Sequence, residues 1–170
     1  MIALSPTFDG ARTIPSELIT DLMLALLQLK QGDKLLEIGT GSGYQTKAWA
    51  KTGAEVHSIE IEPWVDPTKI TGDCVFLHSG DAKHGLPQEA PFTAIVATCG
   101  VTEIPKAWED QLDDGGCLLA PIGEPACQKL TLFRKHGKHL VPERVAAYVK
   151  FQMLREKPVP KPVKPVYASR

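Results

Sequence analysis

Leu35-Leu36-Glu37-Ile38-Gly39-Thr40-Gly41-Ser42-Gly43-Tyr44-Gln45-Thr46 is the stretch whose reading decides the fold. A short apolar run ends in Glu37 and Ile38, glycines follow at alternate positions, and the residues from about Tyr44 to Ala50 suit a helix. The order is strand, tight loop, helix. Glycine has no Cβ, so Gly39, Gly41 and Gly43 let the chain take positive φ and approach a ligand closely. The helix that follows points unpaired N–H groups at the same place. The dinucleotide fingerprint G-x-G-x-x-G is not met, because Gly43 comes one position early and Gln45 or Thr46 stands where the later glycine belongs. Glu37 ahead of the first glycine also departs from that fingerprint. A carboxylate there either accepts hydrogen bonds from an amino acid's ammonium group or positions the loop.

A glycine-rich turn alone is a common connection; two carboxylates downstream give this one its meaning. Glu55-Val56-His57-Ser58-Ile59-Glu60 is a second strand pattern, and its last residue lies 21 positions beyond Gly39, where an acid meets ribose hydroxyls. Cys74-Val75-Phe76-Leu77-His78 is a third, followed by Ser79-Gly80-Asp81-Ala82, where Asp81 can accept from an adenine amino group. Loop, acid and acid in this order read as a site for S-adenosylmethionine (SAM). The expected cofactor contacts are Glu37, Gly39, Thr40, Gly41, Ser42, Gly43, Glu60, Asp81 and Ala82. A fourth strand, Thr93–Ala97, ends at Thr98-Cys99-Gly100. Ligands of open α/β sheets sit beyond the carboxyl ends of the strands, so this loop is expected to flank the transferring methyl group, and Thr98 joins the set. The loop is neither Asn-Pro-Pro-Tyr nor Asp-Pro-Pro-Tyr, which argues against a nucleic-acid base amine as acceptor. Cys99 reads as a small residue in a tight loop, since transfer from SAM needs no covalent intermediate.

The remaining elements follow from periodicity and breakers. Residues 14–29 form a helix, with Leu18, Leu22, Leu26 and Leu29 as its stripe, Ile19, Met23 and Leu27 widening it, Pro15 in the first turn and Gly32 at the stop. Only 13 residues separate Glu60 from Cys74, and Pro63, Pro67 and Gly72 among them allow no more than a short turn or one helical turn. A helix from about Glu103 to Leu112, a fifth strand at Cys117–Ile122 and two more at Leu130–Arg134 and Val145–Leu154 complete the domain, residues 1–155. The proline- and lysine-spaced segment 156–170 is expected to be an extended, mobile tail. The fold class is α/β: a Rossmann-like, mostly parallel seven-stranded sheet with helices on both faces.

Composition narrows the partners. The chain has 170 residues, enough for one domain with a real core, and 43% apolar residues with 23% charged, as a soluble globule has. No run approaches a membrane span and no secretory signal is visible, so no membrane partner and a cytoplasmic place are expected. Four cysteines without C-x-x-C spacing read as reduced, mostly buried thiols, and no His or Cys pair has the spacing of a metal site. His136 and His139 read as plain turn residues. Residues 1–127 carry 8 basic and 18 acidic side chains, whereas 128–170 carry 11 basic and 2 acidic. No aromatic residues interleave with those late charges as a nucleic-acid platform requires, so a solvated basic hairpin and tail is the reading, with no nucleic acid.

From about Thr13 to Leu154 the chain resembles the protein-L-isoaspartate O-methyltransferases. The resemblance rests on Thr13-Ile14 before a leucine-rich helix, on Leu29 through Thr46, on Ser58-Ile59-Glu60, Gly80-Asp81, Ala90 through Thr98, Glu103-Ile104-Pro105 and Leu112 through Gly123. It implies carboxyl methylation of L-isoaspartyl residues, with a protein or peptide as acceptor. A small-molecule acceptor for the same fold, or SAM binding without turnover, are the alternatives. It also implies that the first helix starts near the ligand and that Thr13 and Ile14 touch the acceptor. The family's next residue is a serine, Pro15 stands there instead, and Ser16 one position later is the candidate catalytic residue. The family's usual helical region before Thr-Ile is missing, so a shortened member is expected.

Overall fold

The computed structural model describes residues 16–61, 70 and 74–155 in full and residues 7–9 and 12–14 as backbone. The connection between Glu60 and Cys74 and the tail from 156 lie almost wholly outside the described residues. The strands begin with a short antiparallel hairpin, β1 (Thr7–Asp9) and β2 (Arg12–Ile14). The main sheet has seven strands: β3 (Lys34–Ile38), β4 (Glu55–Glu60), β5 (Val75–Ser79), β6 (Phe92–Ala97), β7 (Leu112–Glu124), β8 (Cys127–His136) and β9 (His139–Val149), in the order β5-β4-β3-β6-β7-β8-β9. From β5 to β7 every pairing is parallel; β8 runs antiparallel to both its neighbours. The chain steps outward from β3 to β5 and then crosses back to β6, so β3 and β6 meet at a switch of direction. Their carboxyl ends diverge into a crevice there.

Alternation along the central strands builds two cores. Leu35, Val56, Ala94, Val96 and Leu119 face one side with Met23, Leu27 and Trp49. Leu36, Ile38, Ile59, Ile95 and Leu118 face the other with Ala82, Leu86 and Trp108. The first side carries α1 (Glu17–Leu27) and α2 (Tyr44–Ala50); the second carries α3 (Lys106–Gln111) and a 3-10 turn at Ala82–His84. Buried on both faces, these strands are the near-continuous apolar runs that parallel sheets need.

Several boundaries differ from the sequence reading. α1 starts late because Ser16 caps it, its hydroxyl oxygen accepting from the Ile19 N–H. It ends at Gln28, not Gly32: Gln28 takes φ 50° and gives its N–H to the Leu24 carbonyl. Its buried stripe is Ile19, Met23 and Leu27, while Leu18 stands 56% exposed. Leu18, Leu22 and Leu26 repeat every four residues just as Ile19, Met23 and Leu27 do, so the sequence pattern alone cannot choose between faces one residue apart. β7 starts at Leu112, five residues before the expected Cys117, because Leu112 pairs with Phe92 and a bulge absorbs the glycines that follow. β9 ends at Val149, not Leu154; Pro142 lies within it, on the sheet's edge strand. Gly137-Lys138 turns β8 into β9 with His136 and His139 paired across it. All four cysteines are free, and Cys74 and Cys127 are exposed where mostly buried thiols were expected. No helix among the described residues is long and apolar enough to cross a membrane.

Candidate active site

The glycine loop leaves β3 with three positive φ angles, 96° at Gly39, 52° at Gly41 and 74° at Gly43. At Gly39 the reason is also steric. A Cβ there would lie 2.7 Å from Thr98 Oγ1, so the loops after β3 and β6 pack backbone to side chain. Thr98 Oγ1 donates toward the Ile38 and Gly39 carbonyls and thereby ties the two strand ends together.

Beneath this loop Glu37 is wholly buried. Oε2 accepts from Thr46 Oγ1 at 2.5 Å and Ser58 Oγ at 2.6 Å, and Oε1 accepts from Trp49 Nε1 at 2.8 Å. Ser58 in turn shares a 2.6 Å hydrogen bond with Thr40 in the loop. Burial pushes the Glu37 carboxyl up to about 7, against the pull of these donors. Glu37 does not line the cavity above it, so the structure corrects its role from cofactor contact to loop support. Its three donors come from α2 and β4, and they clamp strand, loop and helix into one unit.

The cavity opens over the carboxyl ends of β3, β4 and β6. Its walls are Gly39, Thr40, Gly41, Ser42, Tyr44 and Gln45 from the loop and α2, Ile59, Glu60 and Ile61 from the end of β4, Ala82, and Thr98 with Cys99. Gln152, Met153, Leu154 and Arg155 close the last side. Glu60 sits where the spacing put it. Its Oε2 accepts from the Gly41 N–H at 2.9 Å and its Oε1 from the Ile61 N–H at 3.1 Å, which leaves lone pairs on both oxygens for ribose-type hydroxyls. Replacing Glu60 by alanine is expected to weaken SAM by about 1–3 kcal/mol, the worth of a charge-assisted hydrogen bond, in calorimetric titration. Unchanged affinity would remove Glu60 from the site.

Other expected residues stand at the margin. Gly43 is the N-cap of α2, and its N–H is spent on the Thr40 carbonyl. Asp81 caps the 3-10 turn through the Lys83 N–H at 3.0 Å and lies beside the cavity-lining Ala82. Ser16 is not brought to the cavity; its hydroxyl is engaged in capping α1, and α1 reaches the site instead through Met23, whose Sδ accepts from Gln45. Thr13 and Ile14 belong to β2, whose side chains lie outside the described residues. Burial pushes the Cys99 thiol up to about 12, so it stays protonated and is no nucleophile. Among the described residues no group of three His, Cys, Asp or Glu side chains is arranged to hold a metal ion. The wall at 152–155 was missed in the sequence, where it carries no motif.

The family model for protein-L-isoaspartate(D-aspartate) O-methyltransferase matches residues 3–157. The chain belongs to that family. Curated isoaspartate methyltransferases are similar to it across most of its length. One from Flavobacterium psychrophilum is 40% identical over 132 residues, 74% of this chain and 62% of that protein. One from Methanoculleus marisnigri is 40% identical over 142 residues, 78% of this chain and 63% of that protein. The chain thus spans a little over three fifths of these relatives' length. Among solved structures, a protein-L-isoaspartate O-methyltransferase at 26% identity superposes with a TM-score of 0.76 over 86% of this chain and 50% of its own. A Plasmodium falciparum structure titled as a putative member, in complex with S-adenosyl-L-homocysteine, gives 0.73 at 21% identity over 92% of this chain and 82% of its own, a likeness of fold. The sheet described above is therefore the Rossmann-like methyltransferase sheet.

Proposed function

We propose that the protein is a SAM-dependent methyltransferase that esterifies the free carboxylate of L-isoaspartyl residues in proteins or peptides. The observation that carries this is the cavity itself. In a chain of this family, Glu60 is held against the glycine loop at one end and Thr98-Cys99 stand at the carboxyl end of β6. Along that line Glu60 would hold the ribose of SAM, and the loop at Thr98 would flank its methyl group. Bound there, SAM would supply a sulfonium methyl group, which an acceptor carboxylate oxygen would take as the carbon–sulfur bond breaks and its electron pair returns to sulfur. The acceptor is ionised at neutral pH, so no general base is needed. The rate then comes from holding donor and acceptor in line, which is the work of the clamped loop. Cys99, protonated, offers no competing covalent route.

Four unpaired thiols support a reducing compartment, and we place the enzyme in the cytoplasm. Radiolabelled methyl transfer from SAM to an isoaspartyl peptide, beside its aspartyl counterpart, is the test. Label is expected on the isoaspartyl form alone, as a base-labile ester. SAM binding without transfer to it would overturn the acceptor assignment and leave a binder, or a methyltransferase with a different acceptor.

A further inference from the structure

Of the cavity's described lining residues, two carry charge, Glu60 and Arg155. They do not neutralise each other. Glu60 is held by backbone N–H groups, and Arg155 has no hydrogen-bond or ion-pair partner among the described residues. Nor does Arg155 sit on a loose end of chain. The Phe151 N–H donates to Gln128 Oε1 at 2.7 Å, the Gly100 N–H to the Gln152 carbonyl at 2.8 Å, and the Leu154 N–H to the Gly100 carbonyl at 2.8 Å. Gln128 is fully buried, and its amide also donates to the Glu124 carbonyl at 3.0 Å. Segment 151–154 is thus a strap fixed across Gly100, so close that a Cβ there would lie 2.9 Å from Met153 Sδ. The strap delivers Arg155 to the cavity rim one residue after its last anchor.

We propose that Arg155 receives a carboxylate in this cavity. This rests on the methyl-transfer reading of the same site. A guanidinium presents a planar fork that matches a carboxylate's two oxygens, and it holds the fork with less entropy lost per bond than lysine. Two carboxylates come to the cavity, that of SAM's methionine half and that of the acceptor. Binding of either one brings the charge that this cation lacks.

Arg155→Ala, Arg155→Lys and Arg155→Glu in the full chain separate the cases; the side chain is exposed, so unchanged melting temperatures are expected. Calorimetry with SAM reads the donor arm. The KM for isoaspartyl peptide reads the acceptor arm, with calorimetric binding of that peptide to the S-adenosylhomocysteine complex as a turnover-free readout. In one arm the alanine variant is expected to lose about tenfold, lysine to restore part and glutamate to lose more. A loss confined to SAM assigns the donor carboxylate; a loss confined to the peptide assigns the acceptor. Unchanged values in both arms overturn the proposal. Wild-type protein that binds SAM but neither binds nor methylates isoaspartyl peptide refutes the acceptor assignment separately, and the SAM arm then decides Arg155 alone.

Discussion

Replacing Glu37 by alanine is expected to cost the fold about 3–5 kcal/mol, a large part of the ~5–15 kcal/mol that holds a domain together. The loss comes from what the side chain leaves behind. Trp49 Nε1–H is buried against Oε1 and loses this acceptor. Thr46 loses its acceptor too, whereas Ser58 can turn toward Thr40. A buried donor left unpaired costs about 1–3 kcal/mol, and the missing atoms leave a void at the junction of β3, α2 and β4. Urea denaturation measures this directly. A loss under about 1 kcal/mol would mean that the three hydrogen bonds do not support the loop.

The same residue sets a pH dependence. Its folded carboxyl titrates near 7, raised by burial and by Glu60, against 4.5 for an unperturbed one. In that interval the folded state holds the proton more tightly than the unfolded state. The stabilising contribution is therefore complete below pH 4.5 and is lost as pH rises through 7, by an amount on the order of 3 kcal/mol. Glu37→Gln keeps the shape but cannot titrate, and it sets a donor against one of the three donors. Its stability is expected to be lower than wild type at pH 5, with the gap narrowing toward pH 8. A gap that stays constant would show that Glu37 does not titrate there.

Which parts of this could be read from sequence follows from where the information sits. The loop was legible because positive φ at Gly39, Gly41 and Gly43 demands glycine, and glycine is visible in a sequence. Glu60 was legible because a strand has fixed length, so an acid at its end falls at a fixed distance. Glu37 was half legible: its place was clear, but whether it faces ligand or protein depends on Thr46, Trp49 and Ser58, two of them from the next helix and one from the next strand. The α1 face was ambiguous because Leu18 and Ile19 are equally apolar, and tertiary packing chooses: Ile19, Met23 and Leu27 join the core with Leu35, Trp49 and Val56. The strap at 151–155 was invisible. It is held by main-chain hydrogen bonds to Gly100 and by the amide of Gln128, and residues 23 or more positions apart leave no local pattern. An apolar Phe151 and Leu154 just past an exposed edge strand were its trace.

Gly41→Val is expected to lower SAM affinity about a hundredfold or more while the protein stays folded. Gly41 has φ 52°, and a Cβ built there meets no protein atom within 4 Å. The fold therefore bears only the backbone cost of a branched residue in the left-handed region, about 1–2 kcal/mol. The site bears more. If the loop relaxes to a negative φ, the Gly41 N–H leaves Glu60, and the charge-assisted hydrogen bond that positions this carboxylate is lost, another ~1.5–3 kcal/mol. If the loop holds, the branched side chain stands on the wall of the cavity proposed for SAM. Either outcome removes affinity, and a hundredfold corresponds to about 2.8 kcal/mol. Gly39 would not serve as well, because its Cβ meets Thr98 and the fold itself would suffer. Gly32→Val is the matched control: Gly32 has φ 91° and the same open surroundings, but it lies before β3, away from the cavity. It is expected to lose similar stability with no loss of SAM affinity. Should Gly41→Val bind SAM within about threefold of wild type, ~0.7 kcal/mol, the glycine loop is not the cofactor's seat.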